Sequence, residues 1–131
     1  MKKNILLFAS SLFILTILVS EQIKAQPTCA WAQKAGSTNE DFGIAVAADA
    51  FGNVYYLGNF YSPTIVFGTT TLQNQPYLAY NYGSEMFLVK YDSCGVFQWA
   101  KQAGGQYGTN GSDIVTDALG NIFVTGYSNC D

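Results

Sequence analysis

The 131-residue chain contains no histidine and no arginine, and it carries only three cysteines and three prolines. The missing imidazole removes the usual general base, the histidine-dependent Ser or Cys triads and the commonest nitrogen ligand for a metal. The missing guanidinium, with six lysines against nine acids and a net charge of −3, excludes a nucleic-acid partner, whose phosphates are met by Lys and Arg. An anionic membrane surface is disfavoured by the same balance. Cys29, Cys94 and Cys130 do not have the close paired spacing of a zinc site. Neither a catalytic residue, a metal nor a cofactor is expected.

The first residues read as an export signal. Lys2 and Lys3 give a positive start, and Ile5 to Val19 is a nearly unbroken apolar run, shorter than the roughly 20 residues a membrane span needs. Ala25 offers a small residue for cleavage before Gln26. Residues 1–25 are therefore assigned as a cleaved signal peptide, with a secreted or cell-surface location and no membrane span after cleavage. Cys29 lacks both a Leu three residues earlier and a small residue directly before it, which argues against a lipoprotein. From Gln26 onward three lysines face eight acids, a formal charge of −5, and all nine tyrosines and seven of nine phenylalanines lie there. With many Gly and Thr, this is strand and turn material. In an exported chain the cysteines read as disulfide partners, and their odd number leaves one over.

What is present is a repeat. "DAFGNVYYLG" begins at Asp49 and "DALGNIFVTG" at Asp117, and sliding the chain until Asp49 meets Asp117 aligns the copies without a gap. In that one alignment Trp31 falls on Trp99, Ala35 on Ala103, Gly43 on Gly111, Gly52 on Gly120, Asn53 on Asn121 and Gly58 on Gly126. A constant offset over this distance means that a supersecondary unit is being repeated, as in propellers and solenoids. Each unit reads as four short strands. "FLVKYD" alternates with Phe87, Val89 and Tyr91 on one face, "VFQWAKQ" is read with Phe97 and Trp99 together on one side, and "SDIVTD" and "NIFVTG" are apolar on both faces. The turns "DAFGN", "DALGN" and "DSCGV" share a recipe: Asp bonds the backbone two residues on, and Gly supplies the positive φ of a short hairpin loop.

The ordered series W-A-x-x-A-G, D-A-x-G-N, "TIVFGTTTL" and "FLVKYDSCG" resembles the bacterial β-propeller repeat called SBBP, over essentially the whole chain after the signal. The resemblance implies an all-β fold of antiparallel four-stranded blades, in large secreted or surface proteins of Bacteroidetes-type bacteria, often with a C-terminal sorting domain. It implies a scaffold and carries over no catalytic residue. The division expected is a first, incomplete blade over 26–73, an inserted Tyr- and Asn-rich connection over 74–85 and a second blade over 86–131. The first blade is expected to lack a strand equivalent to "FLVKYD", since one repeat length before it lies the signal cleavage point. The chain is then an open propeller fragment of about two blades, for which further blades are expected partners.

Site candidates are few. Trp31 and Trp99 recur at one position of the unit and read as packing between sheets. Asp49 and Asp117, with Gly52, Gly120, Asn53 and Asn121, read as structural turn residues, because one carboxylate per turn is a poor calcium site. Glu40, Asp41 and Glu85 are the candidate carboxylates taken from outside the recurrent turns, and solvated charge is the plainer reading than glycoside hydrolysis. The connection holds Tyr77, Tyr80 and Tyr82 beside Asn74, Gln75 and Asn81; rigid aromatics next to amides suit a protein or carbohydrate partner, while an elongated hairpin covering the blade edge is the alternative. The function expected is a non-catalytic extracellular binding scaffold; the alternative is the scaffold part of a secreted hydrolase whose catalytic groups lie outside this chain.

Overall fold

The computed structural model describes residues 31–74, 76–77, 81–105 and 108–128; the assigned signal peptide lies outside them. Ten strands follow in order: β1 (Asp41–Ala48), β2 (Val54–Phe60), β3 (Thr64–Phe67), β4 (Thr70–Gln73), β5 (Pro76–Tyr77), β6 (Asn81–Tyr82), β7 (Glu85–Tyr91), β8 (Phe97–Ala103), β9 (Thr109–Thr116) and β10 (Ile122–Ser128). No helix occurs among the described residues, so none there is long and apolar enough to cross a membrane. The fold is all-β and antiparallel throughout, in the form of propeller-type blades.

The central sheet runs β1-β2-β7-β8 and is a complete four-stranded blade. β9 and β10 form a second, two-stranded sheet. Their bounds repeat those of β1 and β2 one full repeat length later, at both ends of both strands. Even the irregularity repeats: register shifts fall between Gly43 and Ala45 in one pair and between Thr125 and Gly126, opposite Gly111, in the other. A bulge at the same place in two hairpins is specified by sequence, here by the Gly pairs Gly43↔Gly58 and Gly111↔Gly126.

This sheet crosses the division of 26–73 from 86–131. β2 pairs along its whole length with β7, from Val54↔Tyr91 to Phe60↔Glu85. The strand expected to be missing from the first blade is thus supplied by Glu85–Tyr91 itself. The physical reason is that a tandem repeat has no intrinsic starting point. The β3–β4 hairpin and the 74–85 connection are an excursion between neighbouring strands, so the blade boundary falls after β8.

The central sheet is covered on both faces. β7 alternates strictly, with Glu85, Phe87, Val89 and Tyr91 buried on one side. That side joins Phe60 of β2 and receives the β3–β4 hairpin through Ile65, Phe67 and Leu72. Phe87 sits at its centre, its ring centroid 4.9 Å from Phe67, 5.4 Å from Tyr56 and 6.3 Å from Phe60. Gly58 lies directly opposite Phe87, and any side chain there would collide with that ring. On the other face Tyr55 and Leu57 meet Ile114, with Trp99, Ile122 and Val124 packed around them.

Phe97 and Trp99 do not share a side. A register shift between Lys90 and Tyr91 sets Tyr91 opposite Phe97 but Lys90 opposite Trp99. Phe97 consequently packs on the Phe87 cluster and Trp99 on the Tyr55 cluster. The extra residue of a bulge reverses the alternation beyond it.

Candidate functional site

The three Asp-Gly turns share one geometry. The Asp49 amide donates to the Asn53 carbonyl at 3.0 Å and the Gly52 amide to the Asp49 carbonyl at 3.0 Å; Asp117 and Asp92 head matching loops. Gly52, Gly95 and Gly120 hold φ of 81°, 79° and 82°, a region costly for any residue with a Cβ. Asp49 Oδ1 accepts from the amides of Phe51 and Asn53, both at 2.9 Å, and Oδ2 from Asn53 Nδ2 at 2.7 Å and the Tyr55 hydroxyl at 2.9 Å. Asp117 repeats the first three with Leu119 and Asn121. It lacks the fourth because Phe123 stands where Tyr55 does.

Burial alone would raise the Asp49 pKa, but the hydrogen bonds from Asn53, Tyr55 and Phe51 outweigh it and hold the carboxyl below its ordinary value. The Asn121 side chain and amide lower Asp117 likewise, against a smaller opposing effect of burial. Donors of this number favour the ionised form. Both oxygens of each carboxylate point into their own loop, which is a turn cap in its chemistry.

The two tryptophans occupy equivalent places on opposite faces of the blade. Trp99 lies 6.2 Å from the Tyr55 ring, beneath the β9–β10 sheet. Trp31 lies 5.5 Å from Tyr91 on the other face, and its Nε1 donates to the Ser93 carbonyl at 3.3 Å. Gln33 Nε2 donates to the Gly95 carbonyl at 3.2 Å, which ties the 31–35 segment to the Asp92 turn. Between this segment and β1–β2 opens a cavity of about 360 Å³ lined by Trp31, Lys34, Val46, Val54, Tyr56 and Tyr91, among others. Sequence reasoning missed it. The signal that locates it is the repeat, since Val46 and Val54 are the counterparts of Ile114 and Ile122, which face the next sheet.

The binding candidates of the connection are distributed unevenly. Tyr77 falls in β5 and Asn81 and Tyr82 in β6, which pair as Pro76↔Tyr82 and Tyr77↔Asn81. Gln75 and Tyr80 lie outside the described residues. Asn74 is buried at the root of the connection, where its Nδ2 donates to the carbonyls of Phe60 at 3.2 Å and Gly83 at 2.8 Å. It therefore anchors the loop. The root is held further by Gln102 of β8, whose amide donates to the Gln73 carbonyl at 2.8 Å and to Glu85 Oε2 at 2.7 Å, while its Oε1 accepts from the Gln73 amide at 3.1 Å. Two buried atoms there, Asn74 Oδ1 and Ser84 Oγ, have no hydrogen-bond partner among the described residues.

Two of the three candidate carboxylates, those of Asp41 and Glu85, are occupied structurally. Asp41 Oδ2 accepts from the Ser37 amide at 2.7 Å and the Ser62 hydroxyl at 3.0 Å, and Oδ1 from the amides of Tyr61 and Ser62. Glu40 contributes its carbonyl, which accepts from the Tyr61 amide at 3.2 Å. Glu85 is buried beneath Gly104. Among the described residues no group of three or more Cys, Asp and Glu could hold a metal ion. Cys94 is exposed in the Asp92 turn, its amide donating to Asp92 Oδ1 at 2.9 Å; Cys29 and Cys130 lie outside the described residues.

Two comparisons with known proteins agree with this architecture. The chain is 28% identical over 107 residues to an uncharacterised WD repeat-containing protein of Acanthamoeba polyphaga mimivirus, an alignment covering 74% of this chain and 7% of that protein. The chain thus spans a small part of the curated relative it matches. Residues 98–131, which contain most of β8 and all of β9 and β10, match the family SBBP, a beta-propeller repeat, and this supports the repeat family and a scaffold kind of role.

Proposed function

We propose that the protein is an exported, non-catalytic β-propeller repeat scaffold that presents its 74–85 connection to a protein or glycan. The observation that carries this reading is the construction of the connection's root. Asn74, Glu85 and Gln102 tie it to both the β3–β4 hairpin and the central sheet, and two buried polar atoms there have no partner among the described residues. A variable loop on a rigid repeat is where binding residues concentrate, and the aromatic and amide content of the connection suits an amphipathic ligand. The positive start, apolar run and Ala25 of the N-terminus support export.

The test is an array of oligosaccharides and surface peptides probed with the whole chain and with a Tyr77→Ala, Tyr80→Ala, Tyr82→Ala variant. A ligand retained by the parent and weakened at least about tenfold, or about 1.4 kcal/mol, in the variant supports the reading. Equal binding by both, or none by either, overturns it.

A further inference from the structure

We infer that the aromatic pair Phe42 and Tyr61, with Asn39 and Glu40 beside it, is a binding platform for a neutral oligosaccharide. This rests on the reading of the chain as a ligand-presenting scaffold and narrows the ligand to a glycan. Both rings are exposed, Phe42 by 47% and Tyr61 by 37%, and they meet edge to face with centroids 6.2 Å apart. Phe42 lies opposite Asn59 in the β1–β2 register, and cross-strand partners share a face. That face is the one packed on the β9–β10 sheet, since Asn59 Oδ1 accepts from the Gly111 amide. Phe42 is therefore exposed with the neighbouring sheet in place. Nor does the repeat require the pair. At the positions of Asn39, Glu40, Asp41 and Phe42 the second unit has Tyr107, Gly108, Thr109 and Asn110, yet β9 keeps the bounds and the bulge of β1.

The platform is held in place by hydrogen bonds. The Asp41 carboxylate accepts from the Ser37 amide at 2.7 Å, the Ser62 hydroxyl at 3.0 Å and the amides of Tyr61 and Ser62 at 3.2 and 3.3 Å. The Asn39 amide donates to the Ser62 hydroxyl at 3.0 Å, and its Nδ2 to the Tyr61 carbonyl at 3.3 Å. Both loops are thus ordered before a ligand arrives, which lowers the entropy lost on binding. These ties do not engage Asn39 Oδ1 or the carboxylate of the exposed Glu40, and both groups are acceptors. The ring faces suit the C–H face of a pyranose, and the two acceptors suit its hydroxyls. A peptide's carbonyls meet no donor here, because the amides of Ser37, Asn39, Tyr61 and Ser62 are already engaged. An acidic sugar meets no cation, since neither loop carries Lys or Arg, and Glu40 and Asp41 oppose it. The Asn74 amide donates to the Pro63 carbonyl at 2.9 Å and its side chain to the Phe60 carbonyl at 3.2 Å. The 74–85 connection therefore leaves from the turn that bears Tyr61, and the two surfaces adjoin.

The test is an array of neutral hexose and N-acetylhexosamine oligosaccharides, uronic-acid oligosaccharides and lysine-rich peptides. It is probed with the whole chain, with the double variant Phe42→Asn, Tyr61→Asn and with the connection variant Tyr77→Ala, Tyr82→Ala. Asparagine is the residue that the second unit holds at both platform positions, Asn110 and Asn129, so the platform variant is expected to fold, and circular dichroism checks that its strand content is kept. The parent is expected to retain neutral oligosaccharides and neither of the other classes, and the platform variant to bind them at least about tenfold more weakly. Binding lost in the platform variant but kept in the connection variant supports this inference while the connection reading fails. Binding lost in the connection variant but kept in the platform variant overturns this inference and leaves that reading standing. Retention of acidic oligosaccharides or of lysine-rich peptides instead, or of no probe at all, also overturns it.

Discussion

The Thr116 hydroxyl donates a hydrogen bond of 2.8 Å to the carbonyl of Ala48, its own counterpart one repeat earlier. The last residue of β9 is thereby fastened to the last residue of β1, and the step from one blade to the next is fixed at that end of the strands. At the other end the Gly111 amide donates to Asn59 Oδ1 at 2.8 Å. Glycine at 111 lets its backbone lie close against Leu57: a Cβ there would come to 2.9 Å from Leu57 Cδ1 and force that side chain to shift. Between these polar ties lies the Tyr55, Leu57 and Ile114 cluster, which supplies most of the adhesion by burial.

Thr116→Val keeps the shape and removes the donor. The bond is solvent-exposed, so the loss is expected at the low end for a neutral hydrogen bond, about 0.5–1 kcal/mol. Thr116→Ser retains the hydroxyl and should recover most of it. Urea unfolding of the three proteins measures both differences; equal midpoints for Val and Thr would show that the tie does not contribute.

Phe87→Ala should be among the most damaging single changes. The ring is buried and bounded by Tyr56, Phe60 and Phe67, and truncation leaves a cavity that the Gly58 backbone cannot fill. A loss of about 3–5 kcal/mol is expected. Leu119→Ser, in an exposed turn, should stay within about 0.5 kcal/mol of the parent. Thermal or urea melts of the pair test whether the Phe87 cluster is the core.

Much of this fold is legible in the sequence because its signals are local. The alternation of Phe87, Val89 and Tyr91 and the Asp-x-x-Gly loops act within a few residues, and the antiparallel blades follow from them. Two features were not legible, for a shared reason. The bulge that separates Phe97 from Trp99 arises from how β8 pairs with Lys90 and Tyr91 of β7, and the blade boundary depends on β2 choosing β7 as its neighbour. Both are set by pairing between strands, to which periodicity within one strand is blind. The site was legible only in outline: Asn74 looks like its tyrosine-rich neighbours in sequence, yet its burial makes it an anchor. The Trp31 cavity appears only when the two sheets are superposed through the repeat.

Removing calcium should leave stability unchanged. Every oxygen of Asp49 and Asp117 already accepts from its own loop, so a cation would have to displace these donors, and hard cations need six or more oxygens. Melting curves with and without a chelator should coincide within error. A drop of several degrees on chelation would reveal a metal site that the turns do not show.

Acid should weaken the hairpins through the same carboxylates. Asp49 and Asp117 are both held below the ordinary value of 3.8, so the folded state binds their protons less readily than the unfolded chain does. Their contribution is fully present above the ordinary value and is lost as pH falls from there through the lowered one. Asp49→Ala removes the acceptor for the Phe51 and Asn53 amides, Asn53 Nδ2 and the Tyr55 hydroxyl at once. It should destabilise the chain more than Asp117→Ala, which loses no tyrosine partner. Asp49→Asn should fall between parent and Ala, since its amide oxygen can serve the two backbone donors while its NH₂ opposes Asn53 Nδ2. The difference in urea midpoint between the parent and Asp49→Ala should be constant from neutral pH down to about pH 5 and shrink steadily below about pH 4. A difference that persists undiminished at about pH 2.5 would show that the loop does not depend on the ionised carboxylate, and that glycine conformation and packing alone hold the turn.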